Sequence, residues 1–253
     1  MDKIKLTVVI LTKNESRNIE DCIKSVNYFV DEVIVIDDLS DDKTTSIAQS
    51  LDAKVMVKKM ENEGRHRNWA YAQAKNNWVL SLDADERVTK ELAEEISGID
   101  LNNSRFAGFS VPRRNHIGNY WLKYGGQYPA AQLKLLRKDK FKYEEVQVHP
   151  RAFLDGECGH LTKDIIHYSY RDFADFLSKL NKQTSLEAQK WFDSNRKMTF
   201  GIALWRTVDR FFRKFVGKGG YKDGFMGFML AVFDSIYQII SYAKFWELKN
   251  KNV

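Results

Sequence analysis

The sequence predicts an α/β protein with a parallel sheet in its N-terminal part and helices appended at its C-terminal end. Three observations carry this. Short apolar, β-branched runs alternate with segments of helical periodicity up to Asp85. Acidic or hydroxyl residues follow three of the four runs, and from Asp172 onward the pattern is helical to the end.

Leu6–Leu11 reads as a buried strand that ends at Thr12-Lys13-Asn14, and Asn14 is placed to cap a helix carrying Ile19, Cys22, Ile23 and Val26. Val33–Ile36 is the second strand, ended by Asp37-Asp38, and Ser40-Asp41-Asp42 opens a helix bearing Ile47, Ala48 and Leu51. Lys54–Val57 is the third strand, Gly64–Ala74 is helical, and Trp78–Leu82 is the fourth strand, leading into Asp83. Continuous apolar strands joined by helices imply βαβ units, and ligands of such sheets bind outside the carboxyl ends of the strands. Thr12, Asp37-Asp38 and Asp83-Ala84-Asp85 therefore gather on one rim. Thr89–Ile96 is a further helix. Phe109–Val111, Gln132–Leu136, Arg151–Leu154 and Ile165–His167 then extend the sheet as a lobe of mixed character, with turns at Gly118 and Gly125-Gly126.

A chain of 253 residues, 43% hydrophobic and 29% charged, can bury one α/β domain with an appendage. Against 34 acidic residues stand 40 Lys and Arg, giving +6 and a pI near 9.1. The excess lies late in the chain, which suits a local anion-facing surface better than a general attraction. Cys22 and Cys158 make neither a disulfide framework nor a zinc site, in keeping with a reducing compartment. Met1–Lys5 opens no apolar signal segment, and no unbroken apolar run reaches the ~18 residues of a spanning helix. A cytoplasmic location follows as the expectation.

Two carboxylates at i and i+2 after a strand, Asp83 and Asp85, can reach one hard cation such as Mg²⁺ or Mn²⁺ if the backbone turns there. The same residues would also make a solvated acidic turn. Asp37-Asp38 either accepts hydrogen bonds from a uracil imide or ribose hydroxyl, or serves turn and cap chemistry. Arg65, His66 and Arg67 stand at a helix start, where cations oppose the macrodipole, so the cluster points to an anion.

Val8-Val9-Ile10-Leu11-Thr12-Lys13-Asn14-Glu15, Val33 to Thr44, Arg67-Asn68-Trp69-Ala70 and Trp78 to Glu86, in this order, resemble family-2 glycosyltransferases of the GT-A fold. Trp121 to Pro129, Gln132 to Arg137, Val148-His149, Ile166 to Tyr170 and Tyr242 to Glu247 resemble a narrower branch, bacterial lipopolysaccharide-core β-1,4-glucosyltransferases acting on heptose. The resemblance implies a GT-A domain over residues 1–170, with the nucleotide-sugar part at 1–98 and the acceptor side at 99–170. A helical region at 171–253 follows. It implies that Thr12, Glu15, Asp37, Asp38 and Arg67 line the nucleotide pocket, and that Asp83 and Asp85 handle ribose, diphosphate and Mg²⁺ or Mn²⁺. His167 is a further candidate ligand, its alternative being a hydrogen-bonded core histidine. The donor implied is a nucleotide-sugar, first UDP-glucose, and the chemistry a single inverting displacement aided by a carboxylate base. Here the sequence departs from the pattern: Pro150 and Ala130 stand where relatives carry acids. Glu145 is then the favoured base, beside His149, its alternative being an exposed loop residue.

Trp205, Val208, Phe211, Phe212 and Phe215 recur at helical spacing, with Arg206, Arg210, Arg213 and Lys214 towards the other face and Lys218 and Lys222 beyond. That is the pattern of a helix lying in an anionic membrane interface. Packing on the catalytic domain or on a second copy is the competing use. The more apolar Phe225–Trp246 is interrupted by Asp234 and Lys244, against a spanning segment. A lipid-linked saccharide acceptor at the inner membrane face would join tail and chemistry. Nucleic acid is disfavoured because the cations accompany a wide apolar face. Rival readings are a nucleotidyltransferase, which lacks its Gly-rich loop after Leu11, and a non-catalytic scaffold of the same fold.

Overall fold

The computed structural model describes residues 3–146 and 151–251. The chain divides into two units, one of residues 1–113 with 131–167, the other of residues 114–130 with 168–253. Segment 114–130 falls in the unit that holds the C-terminal helices.

The first unit is a seven-stranded sheet. Its parallel half consists of β1 (Ile4–Thr12), β2 (Val30–Asp37), β3 (Lys54–Val57) and β4 (Trp78–Asp83), ordered β3-β2-β1-β4. Side chains alternate across β1. Leu6, Val8 and Ile10 pack with Ile19, Cys22, Ile23, Leu80 and Leu82 on one face, and Val9 packs with Ile34, Ile36, Val79 and Tyr71 on the other. Both faces are covered, which explains strands without polar alternation. The covering helices are α1 (Ile19–Lys24), α2 (Thr44–Ser50), α3 (Glu63–Ala72) and α4 (Lys90–Ser97). Asn62 and Thr89 cap the last two through their side chains.

Asn14 does not cap α1. It takes a left-handed φ of 55°, receives the backbone N–H of Asp41 at 3.0 Å, and donates its own N–H to Ser40. The short polar side chain fits this conformation, and helix formation is deferred until Ile19.

The mixed half continues the same sheet through β9 (Gln132–Arg137), antiparallel to both β4 and β6 (Phe106–Val111), and β12 (Glu157–His160), parallel to β6. Between α4 and β12 also lie β7 (Arg113–Ile117), β8 (Tyr120–Trp121), β10 (Phe141–Tyr143) and β11 (Ala152–Leu154). The segment expected at 151–154 does not extend the sheet: β11 pairs with β10 as a separate hairpin. The last strand, β13 (Ile165–Tyr170), pairs through its first residues with β5 (Glu86–Val88) and sets His167 opposite Glu86.

In the second unit, β7 pairs with β8, and α5 (Phe173–Asp193), α6 (Phe200–Phe212) and α7 (Gly224–Lys251) follow. Ile117, Leu122, Phe176, Leu180 and Leu230 form one core, and Trp191, Ala203 and Phe245 a second. Phe211 and Phe215, read as part of an outward stripe, instead stack on each other at 5.4 Å and meet Phe228 edge-on. The stripe left outside is Phe200, Leu204, Trp205, Val208, Phe212 and Val216. Residues Gly220–Asn250 are helical, long and apolar enough by length and composition to cross a membrane, with a third of the most apolar stretch buried. Asp234 and Lys244 interrupt this segment as the sequence showed. They are held within the unit, Asp234 by Lys214 and Lys244 by Asn181 and Thr184.

Candidate active site

Register places the site. β1 and β2 bring Thr12 beside Asp37, and β1 and β4 bring Leu11 beside Asp83, so three strand ends lie in a row. Above them opens a cleft of about 400 Å³ lined by Thr12, Lys13, Glu15, Asp38, Met60, Glu63, His66, Arg67, Asp83 and Asp85. The turn after β4 is held from below. Ala84 donates its backbone N–H to Leu11 at 3.2 Å, and Arg87 donates to the Ala84 carbonyl at 2.8 Å.

Charge in the cleft is heavily compensated. Asp83 faces the Arg67 guanidinium and the Lys134 ammonium, each at 3.4 Å. Burial alone would raise the Asp83 pKa, but Lys134 and then Arg67 outweigh it and hold the carboxyl well below the usual carboxylate range. Lys134 also reaches Glu86 at 2.5 Å, and Glu86, fully buried, has Arg113 at 3.4 Å. Burial disfavours the Lys134 charge, yet Asp83 and Glu86 raise its pKa above the ordinary lysine value. Neither Lys134 nor Glu86 was singled out as a site residue from the sequence. The available signal was one cation inside an otherwise apolar strand, Gln132-Leu133-Lys134-Leu135-Leu136.

Of the predicted nucleotide-pocket residues, Thr12, Glu15, Asp38 and Arg67 line the cleft and Asp37 does not. Both Asp37 carboxylate oxygens accept from Ser40, at 2.8 Å from its N–H and 2.5 Å from its hydroxyl, so Asp37 serves the turn. Asp38 faces inward, receiving the Met60 N–H at 2.8 Å and the Lys13 ammonium at 3.0 Å.

The expected trio Asp83, Asp85 and His167 does not close into one cluster. His167 Nε2 stands 3.5 Å from Asp85 Oδ2, but Asp83 is turned to its two cations. No group of three or more His, Cys, Asp or Glu able to hold a metal occurs among the described residues. Glu145 does not reach the cleft either. It ion-pairs with Arg65 and Lys142, both at 3.5 Å, and lines a separate surface recess with Asn68 and Phe141. A side chain in that recess is poorly placed to accept a proton in the cleft, and the base role expected of Glu145 loses its support. His149 lies outside the described residues.

Five buried side-chain atoms lack a hydrogen-bond partner among the described residues, and three of them, Thr12 Oγ1, His66 Nδ1 and Asp85 Oδ1, belong to residues of this cleft. Buried polar atoms are nearly always satisfied, and these three converge on one cleft.

His66 gives a pH signature. Burial holds its imidazole below the ordinary histidine value; Asp38 opposes this, and Lys58 and Arg67 add to it. The unfolded chain then binds the proton more readily. The His66 contribution to stability is present above about pH 6.5 and is lost as pH falls through that region. Urea midpoints measured at pH 5 and pH 7.5 should differ less in His66→Gln than in wild type; an unchanged difference refutes the assignment.

Strand order, rim and cleft together define an α/β protein with a charged site at the carboxyl ends of its parallel strands. The model of the family described as glycosyl transferase family 2 matches residues 7–154, more than half of the chain, and the chain belongs to that family. It is therefore a glycosyltransferase, and the expected GT-A fold holds. It is 28% identical over 264 residues to an uncharacterized glycosyltransferase of Rickettsia felis, covering 98% of this chain and 93% of the relative. It is 25% identical over 252 residues to the lipopolysaccharide core biosynthesis glycosyltransferase LpsC of Rhizobium meliloti, covering 97% and 93%. Among solved structures it is similar to S. aureus TarS 1-349, with a TM-score of 0.46 and 16% identity over 96% of this chain and 88% of that one.

Proposed function

We propose that this glycosyltransferase moves a hexose, glucose first among candidates, from a nucleoside-diphosphate sugar to a lipid-linked saccharide such as lipopolysaccharide core. The observation that carries the donor half is the convergence of Thr12, His66 and Asp85, each with an unpartnered polar atom, beside Arg67 in one cleft. Thr12, Asp38 and His66 offer polar contacts suited to base and ribose. Arg67 and Lys13 supply the charge for a diphosphate, with Arg67 able to present a two-pronged donor set.

Asp85 and His167 fit a divalent cation: one carboxylate oxygen is unpartnered and the imidazole nitrogen stands 3.5 Å from the other. Mg²⁺ or Mn²⁺ characteristically binds through one or two protein ligands plus substrate phosphates, and there it would neutralise the diphosphate leaving group. Asp83, already balanced by Arg67 and Lys134, orients those cations. Attack of an acceptor hydroxyl on the anomeric carbon, with the nucleoside diphosphate leaving and the hydroxyl proton passing to a base, would then invert the configuration in one step.

The acceptor reading draws on the R. meliloti relative named for lipopolysaccharide core biosynthesis. It also draws on the outward stripe of α6, where Trp205 is 66% and Phe212 58% exposed, near Arg206, Arg210 and Arg213 in sequence. Aromatics that enter a headgroup boundary beside cations suit peripheral binding to anionic lipid.

A binding and hydrolysis screen of nucleotide sugars with Mg²⁺ or Mn²⁺ tests the donor half; UDP-glucose should be preferred over UDP-N-acetylglucosamine, and binding of neither refutes it. For the tail, flotation with anionic but not neutral vesicles is predicted, lost in Trp205→Ser/Phe212→Ser. Flotation unchanged in that variant removes the membrane surface.

A further inference from the structure

Trp121, at the end of β8, carries another of the five unpartnered atoms: its indole Nε1 is buried and has no hydrogen-bond partner. The donor cleft makes no use of it. Three groups surround the ring. The Arg114 guanidinium lies 4.9 Å and the Lys123 ammonium 4.7 Å from its centroid, and Tyr128 meets it edge-on at 5.5 Å.

Each cation is attracted to the ring face, so one indole gathers two positive groups. Lys123 has no ion pair among the described residues, and its side chain is exposed. An anion beside the ring would be drawn to that positive charge. The missing partner of the indole N–H is then an acceptor, since Nε1 can only donate.

The surrounding segment is fixed in advance. The buried Asp223 carboxylate accepts the backbone N–H groups of Lys123 and Tyr124 at 3.1 and 2.9 Å. Asn115 donates its side-chain amide to the Gln127 carbonyl at 2.8 Å and accepts the Leu122 N–H through its own carbonyl at 2.9 Å. A loop held this way loses little further freedom when it binds.

We propose that Arg114, Trp121, Lys123 and Tyr128 form a subsite for an anionic saccharide, one bearing a phosphate or carboxylate group. Arg114 and Lys123 take the charge. Lys123, on its flexible stem, leaves the ring for the anion and uncovers the indole edge, whose N–H donates to it. The apolar ring surfaces of Trp121 and Tyr128 receive the C–H face of the sugar. The assignment of this saccharide as acceptor rests on the glycosyltransferase reading above; the binding itself does not.

The test is NMR of the indole N–H groups in the full ¹⁵N-labelled chain, with the Trp121 resonance assigned by Trp121→Phe. Titrants are glucose 6-phosphate, glucose and inorganic phosphate. Glucose 6-phosphate should shift the Trp121 resonance saturably, and Arg114→Gln/Lys123→Gln should weaken that binding at least about tenfold. No shift, or unchanged affinity in the double variant, overturns the subsite. An equal response to glucose overturns its anion selectivity, and equal affinity for inorganic phosphate overturns the saccharide. UDP binding by the same samples reads the donor cleft separately: its absence beside an intact Trp121 response would strike the donor reading and leave this one standing.

Discussion

Replacing Lys134 by Met is expected to cost about 3–5 kcal/mol of stability, the usual penalty for breaking a buried ion pair from one side. Lys134 is buried between Asp83 at 3.4 Å and Glu86 at 2.5 Å. Methionine nearly matches its volume, so the loss is one of charge and not of packing. Glu86 would keep Arg113 at 3.4 Å and the Asp83 backbone N–H at 3.0 Å in a fully buried setting, and of its two facing cations Asp83 would keep Arg67. Adding Glu86→Gln removes the stranded carboxylate and should restore more than half of the lost stability, read as urea midpoints. A single variant as stable as wild type, or a double variant less stable than the single, would show that the pair does not couple. Nucleotide binding should stay impaired in both, because Asp83 has lost one of the two cations that fix its position.

The second large effect concerns Arg67. Its Nε meets Glu63 at 3.1 Å, its Nη2 meets Asp83 at 3.4 Å, and its guanidinium lies 5.8 Å from the centre of the Tyr143 ring. Burial would lower its pKa, but Asp83 foremost raises it, and the side chain stays charged at any working pH. A pre-positioned cation at the cleft should contribute about 1.5–3 kcal/mol to holding a diphosphate, so Arg67→Ala weakens UDP binding by about 10–150-fold. Arg67→Lys should recover less than half of that free energy, since an ammonium cannot span Glu63 and Asp83 together. Calorimetric titration with UDP checks both variants; an Arg67→Ala dissociation constant near wild type would remove Arg67 from the site.

The parallel half of the fold was legible because β1, β2 and β4 are covered on both faces and so read as apolar runs, while the half-buried edge strand β3 is marked by its β-branched residues. The rim followed from the rule about strand ends: of its members Thr12, Asp38, Asp83 and Asp85 line one cleft and Asp37 does not, and Arg67 joins them from α3. Local polar chemistry was less legible. Asp37 and Asp38 are adjacent and chemically identical, yet only the backbone turn decides that Asp37 serves Ser40 while Asp38 faces inward. Glu145 was chosen for its charge in a stretch short of acids, whereas Arg65 and Lys142, both close to it in space, claim that charge. Lys134 escaped notice because strand periodicity says which face a residue occupies, not which buried carboxylate waits there. Segment 114–130 joined the helical unit through long-range bonds, such as those to Asp223, that no local pattern announces.

The central claim, that Asp85 at the end of β4 serves the diphosphate of a nucleotide-sugar through a divalent cation, is tested most directly by UDP titration with and without Mn²⁺. Wild type and Asp85→Ala should bind UDP similarly without metal, through Arg67 and the Thr12–Asp38–His66 end of the cleft. Mn²⁺ should tighten binding in wild type and leave Asp85→Ala unchanged. The same Mn²⁺-dependent gain in both proteins would contradict the claim.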